Sequence, residues 1–341
     1  MVQLSSDVSR TRVGLFAASS VVPMVEFERG VSHLRASGFE PVVHEQVPKQ
    51  HFTFAGADDE RAAALYAQAN DSTLPVLWAA RGGYGAARLL PLLEELTVRC
   101  GIPQKKLLVG YSDVTVLHEF VRARWGWSTL HAPMPAAANF ATLDAEEYAA
   151  IVAYVKGRPA DAPWAHHALS WMTNAPGAPI HGELVGGNLS LWQSLAGTPW
   201  QPSGAGKILF LEDLGEPYYR IDRMVTQIAQ AGMLNGAAAI VLGDFCDCKD
   251  EDNQCLASAD GTDKKSLRRT YDEREAFEEI FGTVGRRMGV PVAYGLPVGH
   301  GPHFAPLPLG AQYVLQTDGT LNLEKWDWID SGMGVSPVLR N

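Results

Sequence analysis

The sequence predicts an α/β protein of two domains, and three observations lead to this expectation. At 341 residues, the chain is longer than one ordinary compact core requires. Its first half alternates short apolar segments with helical patterns, which is typical of a parallel sheet covered on both faces. A Pro-rich stretch then precedes a second alternating section. We therefore expect an N-terminal α/β domain over 1–157, a linker over 158–180 and a C-terminal α/β domain over 181–341.

In the N-terminal domain, four apolar segments predict strands, at 13–18, 41–44, 74–80 and 106–111. Three segments predict helices, at 24–37, 58–70 and 113 to about 125. Residues 58–70 are rich in Ala and begin with acidic residues, as helices do. This order predicts a doubly wound parallel sheet of the flavodoxin or amidotransferase type.

The C-terminal domain repeats the alternation after a stretch that contains four prolines between 157 and 179. Strands are predicted at 207–211, 237–242 and 292–296, and helices at 218–231 and 273–288. Residues 312–323 predict a hairpin that turns at Asp318-Gly319.

Composition excludes some classes of partner. The formal charge is −10, which disfavours binding to a phosphate backbone, so no nucleic-acid partner is expected. No run of about 18 apolar residues predicts a membrane span. Arg10 and Arg12 before the apolar stretch 13–25 could imitate a signal peptide, but serines and Pro23 interrupt that stretch, which favours a buried first strand.

The four cysteines do not form a disulfide framework in a chain of this length. Cys246, Cys248 and Cys255 lie in an acidic segment, 244–263, and three thiols could ligate zinc. No CxxC pair and no obvious fourth ligand accompany them. We expect an exposed insertion with reduced thiols and no metal site.

Ser112 follows a predicted strand and precedes a predicted helix in the segment Gly-Tyr-Ser-Asp-Val. A tight turn at this point exposes a serine hydroxyl, as in the nucleophile elbow GxSxG. The fifth position here is Val114 rather than glycine. The segment by itself fits either a nucleophile or a residue that caps the helix.

A glycine-rich loop with Gly82, Gly83 and Gly85 also leaves a predicted strand. Its spacing matches neither GxGxxG nor a P-loop. Closely spaced glycines allow backbone N–H groups to face a ligand, and one of them could form an oxyanion hole with the N–H of Asp113. A tight turn without any ligand explains the loop equally well.

Two further polar groups follow strands in the second section. Glu212 and Asp213 end one strand, and His300 lies between glycines after another. A serine needs a base to remove its proton, and that base is most often a histidine held by a carboxylate. Because neighbouring residues on a strand face opposite sides, only one of the two carboxylates can face the histidine.

The chain resembles the LD-carboxypeptidase family, the muramoyltetrapeptide carboxypeptidases, over nearly its whole length. The matching motifs are ARGGYGAAR at 80–88, GYSDVT at 110–115, GELVGGNL at 182–189, LED at 211–213 with YRIDR at 219–223, and Gly299-His300 followed by PLG at 308–310. Departures are the Cys-rich segment 244–263 and the first strand, which ends in Ala-Ala-Ser-Ser where members often carry a proline.

The resemblance implies a serine peptidase with the triad Ser112, Glu212 and His300, and with the N–H groups of Gly83 and Asp113 as oxyanion donors. It implies release of the terminal D-alanine from a murein tetrapeptide during peptidoglycan recycling, with diaminopimelate or lysine as the third residue. No metal or cofactor is implied. Members are typically cytoplasmic, and homodimers are common.

An exopeptidase must also bind a terminal carboxylate. Arg81, Arg88 and Arg223 are candidates, because a guanidinium can bind a carboxylate through two hydrogen bonds. Asn188 could donate an amide hydrogen bond. Arg81 and Asn188 are the two that we retain as substrate-binding residues.

Three other functions remain open. Some relatives cleave microcin C-like peptide–nucleotide toxins, which require an aromatic platform such as Trp171, Trp192 or Trp200. A non-catalytic sensor of muropeptides would need the cleft but no reactive serine. A nucleotide-dependent oxidoreductase fits the strand pattern but not the glycine spacing.

Overall fold

A computed structural model of the chain describes residues 11–158, 166–249 and 272–330. Their contacts divide them into two compact units. The first unit comprises 11–158, Phe304–Gln312 and 323–330, and the second comprises 166–249, 272–303 and 313–322.

The first unit contains a six-stranded sheet. Its strands are β1 (Thr11–Phe16), β2 (Phe39–Val43), β3 (Val76–Ala79), β4 (Leu107–Gly110), β5 (Ser128–His131) and β12 (Leu307–Leu309). They lie in the order β12-β5-β4-β3-β1-β2, in which β1 to β5 pair in parallel and β12 pairs antiparallel with β5. The helices of this unit are α1 (Met24–Ala36), α2 (Asp58–Asn70), α3 (Leu90–Cys100), α4 (Thr115–Phe120), α5 (Ala145–Val155) and α10 (Asp327–Asp330).

Strands β3 and β4 are buried along their whole length, which explains their continuous apolar sequences VLWA and LLVG. The order 2-1-3-4-5 is that of a doubly wound sheet, and its direction of winding reverses between β1 and β3. Ligands in such sheets bind beyond the carboxyl ends of the strands at this reversal. The predicted N-terminal fold is confirmed.

The second unit is built on an eight-stranded sheet. Its strands are β6 (His166–Ala168), β7 (Ser170–Trp171), β8 (Ile180–Asn188), β9 (Ile208–Leu214), β10 (Ala239–Cys246), β11 (Val292–Tyr294), β13 (Gln312–Leu315) and β14 (Thr320–Lys325). Their order is β6-β14-β13-β8-β9-β10-β11-β7, and β8 to β11 are parallel. The helices are α6 (Leu189–Ser194), α7 (Tyr218–Gln230), α8 (Glu273–Phe277) and α9 (Thr283–Met288).

Helix α7 shows why this unit packs as it does. Ile221, Val225 and Ile228 recur at helical spacing and form one buried face, while its other positions are largely polar. These three residues belong to a core that includes Leu209 and Leu211 of β9. Burial of one such aliphatic side chain stabilises the fold by about 1.5–3 kcal/mol.

Local patterns located most elements but missed those that depend on distant partners. The hairpin at 312–323 is confirmed as β13 and β14, whereas β5, α3, α5 and β8 were not predicted. The expected linker 158–180 contains β6 and β7, which pair with β14 and β11. Residues 304–312 belong to the first unit rather than to a domain spanning 181–341, because β12 pairs with β5.

Part of the acidic insertion can be placed. Residues 244–246 complete β10, and Cys248 is buried beside it, with its thiol donating to the carbonyl of Cys246. Cys255 and residues 250–263 lie outside the described residues. Over the ranges that are described, no helix combines the length and apolar character needed to cross a membrane.

A glycine in β8 provides a test of the sheet packing. Gly186 has φ +123°, and a Cβ atom placed there would lie 1.9 Å from the carbonyl oxygen of Phe210 in β9. We predict that Gly186→Ala lowers the free energy of unfolding by about 3 kcal/mol, measured by urea denaturation. The control is Gly177→Ala, where the Cβ meets no atom within 4 Å. Equal stability of the two variants would contradict this packing.

Candidate active site

Ser112 lies directly after β4 in a turn that is unusual for its residue type. Its φ is +59°, and only Phe52 and Asp247 share a positive φ among the other non-glycine residues described. Such a left-handed conformation costs about 1–3 kcal/mol. The preceding Tyr111, not Ser112, occupies the N-cap of the short 3₁₀ helix Ser112–Val114, and no side chain caps that helix. The alternative that Ser112 is a cap is therefore wrong.

Asp113 ties this turn to the glycine-rich loop. Its side chain is 1% exposed, and its Oδ2 accepts a hydrogen bond of 2.8 Å from the N–H of Ala86. Burial raises the pKa of Asp113, although hydrogen bonds and the charge of Arg61 oppose the shift. The carboxyl group of Asp113 therefore stabilises the glycine-rich loop. Its backbone N–H lies in the first turn of a helix, where N–H donors have no acceptor within the helix.

Arg61 holds the loops that follow β1 and β3. Its side chain is fully buried, and it donates hydrogen bonds to the carbonyl oxygens of Ala18 and Gly85. It also forms an ion pair with Asp58. No local pattern indicated this role, because a single arginine on an Ala-rich helix normally lies at the surface.

The glycine-rich loop lies beside Ser112. A Cβ atom on Gly82 would be 3.2 Å from the Cβ of Ser112, and one on Gly83 would be 2.4 Å from the Oγ of Ser20. Ser20 fixes the loop further, since its N–H donates to the carbonyl of Gly82 and its Oγ accepts from the N–H of Tyr84. Only a residue without a side chain fits at Gly83, where φ is +104°.

A cavity of about 430 Å³ opens at this turn, and we call it the Ser112 cavity. Its lining comprises Pro23, Glu26, Arg81, Gly82, Gly83, Tyr111, Ser112, Met134, Ala136, Ala137, Ala138 and Asn139. Its location at the carboxyl ends of β3 and β4 is where a doubly wound sheet binds its ligands. Ser112, Gly83 and Arg81 thus line one space.

Glu212 and His300 meet in the second unit. Glu212 lies near the end of β9 with 0% exposure, and its Oε2 lies 2.8 Å from Nδ1 of His300. A carboxylate accepts hydrogen bonds, so we assign the proton of this pair to Nδ1. This is the arrangement of a general base held in one tautomer.

The two groups alter each other's protonation. Burial opposes the charged form of His300, but the hydrogen bond and charge of Glu212 outweigh burial and raise the pKa of His300. Asp213 and Asp244 act in the same direction. Burial raises the pKa of Glu212, and the contact with His300 opposes that shift.

Asp213 faces away from His300, as the alternation along a strand requires. Its Oδ1 accepts from Nδ2 of Asn188 at 3.0 Å, and its Oδ2 accepts from the N–H and Oγ of Ser190. Asn188 is 4% exposed and is the N-cap of α6. Its amide therefore fixes the carboxylates at the strand ends, and direct substrate binding by Asn188 stays a prediction.

The remaining candidates have structural partners. Arg88 pairs with Asp58 at 2.7 Å, and Arg223 lies over the ring of Tyr219. Trp192 is fully buried, so it offers no platform for a nucleobase.

Comparisons with known proteins agree with these motifs. The LD-carboxypeptidase N-terminal domain matches residues 13–132, and the LD-carboxypeptidase C-terminal domain matches residues 181–315. The murein tetrapeptide carboxypeptidase of Pseudomonas aeruginosa is 29% identical, over 89% of this chain and 93% of its own length.

Two solved structures extend the comparison. That of a muramoyltetrapeptide carboxypeptidase from Oxalobacter formigenes has a TM-score of 0.73 at 29% identity, covering 93% of this chain and 99% of its own. The structure of MccF with glutamyl sulfamoyl guanosine has a TM-score of 0.71 at 20% identity, covering 92% and 96%. Because the sequence identity to MccF is only 20%, this similarity shows a shared fold and nothing about activity.

The link between Glu212 and His300 can be tested directly. We predict that Glu212→Gln lowers the pKa of His300, because it removes the charge that raises this pKa and leaves the effect of burial. The measurement is an NMR titration of the imidazole. Asp222→Asn, an exposed change on α7, is the control and should leave the pKa unchanged. An unchanged pKa in Glu212→Gln would show that the pair is not coupled.

Proposed function

The chain belongs to the LD-carboxypeptidase family, and on this basis we propose that it is a serine carboxypeptidase acting in peptidoglycan recycling. Its reaction is hydrolysis of the L,D-peptide bond that releases the terminal D-alanine of a murein tetrapeptide. The observation that carries this proposal is the left-handed turn that places Ser112 in a cavity at the end of β4. A strained non-glycine residue is maintained where function requires its side chain to be presented.

Ser112 is the nucleophile of the proposed mechanism, and His300 is its base. As Oγ of Ser112 attacks the scissile carbonyl carbon, Nε2 of His300 takes the hydroxyl proton. Glu212 holds the ring through Nδ1 and stabilises the imidazolium that forms. The triad Ser112, Glu212 and His300 is supported by the family membership and by the local geometry of each residue.

Two backbone donors stabilise the oxyanion of the tetrahedral intermediate, and we assign them to Gly83 and Asp113. Gly83 lies in the loop beside Ser112, and Asp113 follows Ser112 at the helix start. Each such donor typically contributes about 10²–10³ in kcat. His300 then gives its proton to the departing amine of D-alanine. Water, activated by the same histidine, hydrolyses the ester and frees Ser112.

Arg81 is the candidate for binding the terminal carboxylate. It lines the Ser112 cavity, and its guanidinium is held by one hydrogen bond to the carbonyl of Val21. That bond uses one of five N–H donors, so others remain for a carboxylate. A fixed guanidinium in the same cavity as the nucleophile would place the last peptide bond, rather than an internal one, at Ser112.

The location and assembly of the protein are further proposals that rest on the family resemblance. We propose that the protein acts in the cytoplasm and forms a homodimer. Cell fractionation tests the first proposal. Sedimentation velocity of the purified chain tests the second, with a single species of twice the chain mass as the expected result.

The reaction itself gives the main prediction. Ser112→Ala should reduce D-alanine release from a purified murein tetrapeptide by about 10⁴-fold or more, because the acyl-enzyme cannot form. Mass spectrometry of the peptide before and after incubation measures this release, and circular dichroism checks that the variant is folded. Release by Ser112→Ala at nearly the wild-type rate would rule out the mechanism.

The pH profile gives a second prediction. Only neutral His300 can act as the base, so kcat/KM should fall on the acid side as His300 gains a proton. Asp244 raises the pKa of His300, and Asp244→Asn should therefore move this acid limb to lower pH. The control is Asp222→Asn, which should leave the profile unchanged. An acid limb that moves to higher pH in Asp244→Asn would contradict the assignment.

A further inference from the structure

The Ser112 cavity contains two charged side chains that are not paired with each other. Glu26 and Arg81 both line it, yet no ion pair joins them within the described part of the chain. Arg81 is held by the carbonyl of Val21. Glu26 is partly buried, and among the described residues its carboxylate has neither a hydrogen bond nor an ion pair.

Two features of its surroundings favour the binding of a cationic group at Glu26. Glu26 lies in the first turn of α1, where the helix dipole stabilises a negative charge. Apart from Arg81, the other lining residues are uncharged, and several are apolar, such as Met134 and Ala136. In a partly enclosed space whose other lining residues carry no negative charge, such a carboxylate attracts a cationic group more strongly than it would in open water.

We propose that Glu26 is a specificity-determining residue, which binds the side-chain ammonium group of the residue that supplies the scissile carbonyl. This inference rests on the proposed function. Both third residues that the family resemblance implies, diaminopimelate and lysine, carry such an amine, and Glu26 is the residue that distinguishes them from a residue without one. Arg81 and Glu26 then bind different parts of the substrate. Arg81 binds the carboxylate at the peptide terminus, and Glu26 binds the ammonium group of the residue before the scissile bond.

The same carboxylate selects against other peptides. A penultimate residue without charge leaves Glu26 without its partner, and an acidic one brings two carboxylates together in the cavity. A charge-assisted hydrogen bond contributes about 1.5–3 kcal/mol, or roughly 10- to 100-fold in kcat/KM. We therefore expect kcat/KM to be highest for a peptide with an amine on its penultimate residue, lower for one with an apolar residue there and lowest for one with an acidic residue.

The test uses three tetrapeptides that differ only in the third residue, which is lysine, norleucine or glutamate. The wild type should prefer lysine to norleucine, a residue of similar length without the amine, by about 10- to 100-fold in kcat/KM. Glu26→Gln should bring this ratio close to one. Glu28→Gln, an exposed change on the same helix, is the matched control and should keep the wild-type ratio.

Two outcomes would overturn the proposal. The first is a lysine-to-norleucine ratio that Glu26→Gln leaves unchanged. The second is an equal loss on all three peptides, which would show a structural role. If the wild type cleaves none of them, the proposed function fails, and calorimetric binding of the lysine and norleucine peptides then tests Glu26 separately. Loss of a lysine preference in binding on Glu26→Gln supports the proposal, and no effect overturns it.

Discussion

The site depends on one constraint, which is that a parallel strand buried on both faces can offer polar side chains only where it ends. β4 is apolar throughout and is followed at once by Ser112. β9 is buried as far as Asp213, with Glu212 and Asp213 as its only acidic residues. Each unit therefore concentrates its reactive groups at the carboxyl edge of its own sheet. Burial on both faces requires apolar side chains along the strands, and it thereby also determines where polar, reactive side chains can lie.

Much of the surrounding polar structure serves to hold these few groups in place. Arg61 and Asp113 fix the loops around Ser112, and Asn188 holds Asp213 beside Glu212. Each is at least 95% buried, and a buried polar group without a partner costs about 1–3 kcal/mol. Their hydrogen bonds avoid that cost and restrict movement of the site. The left-handed backbone of Ser112 costs a similar amount of free energy, and the surrounding hydrogen bonds stabilise it.

The sequence was sufficient for the elements whose signals are local. Strands β1 to β4 were predicted to within about two residues and the helix Asp58–Asn70 with its observed bounds. The alternation rule required that only one of Glu212 and Asp213 face His300, and the structure shows that this residue is Glu212. The sequence could not show that β12 pairs with β5, because a three-residue strand has no detectable periodicity and its partner lies far away along the chain. Nor could it identify Arg61 as buried, or show that Glu26 lines the cavity of Ser112, since both depend on tertiary packing.

The central claim is that Ser112 is an activated nucleophile. The most direct measurement is reaction of the folded protein with a fluorophosphonate, followed by digestion and mass spectrometry to locate the modified residue. The account predicts one adduct, on Ser112, formed in parallel with the loss of peptidase activity and prevented by His300→Ala. Full activity without modification, or inactivation by an adduct at a different serine, would contradict it.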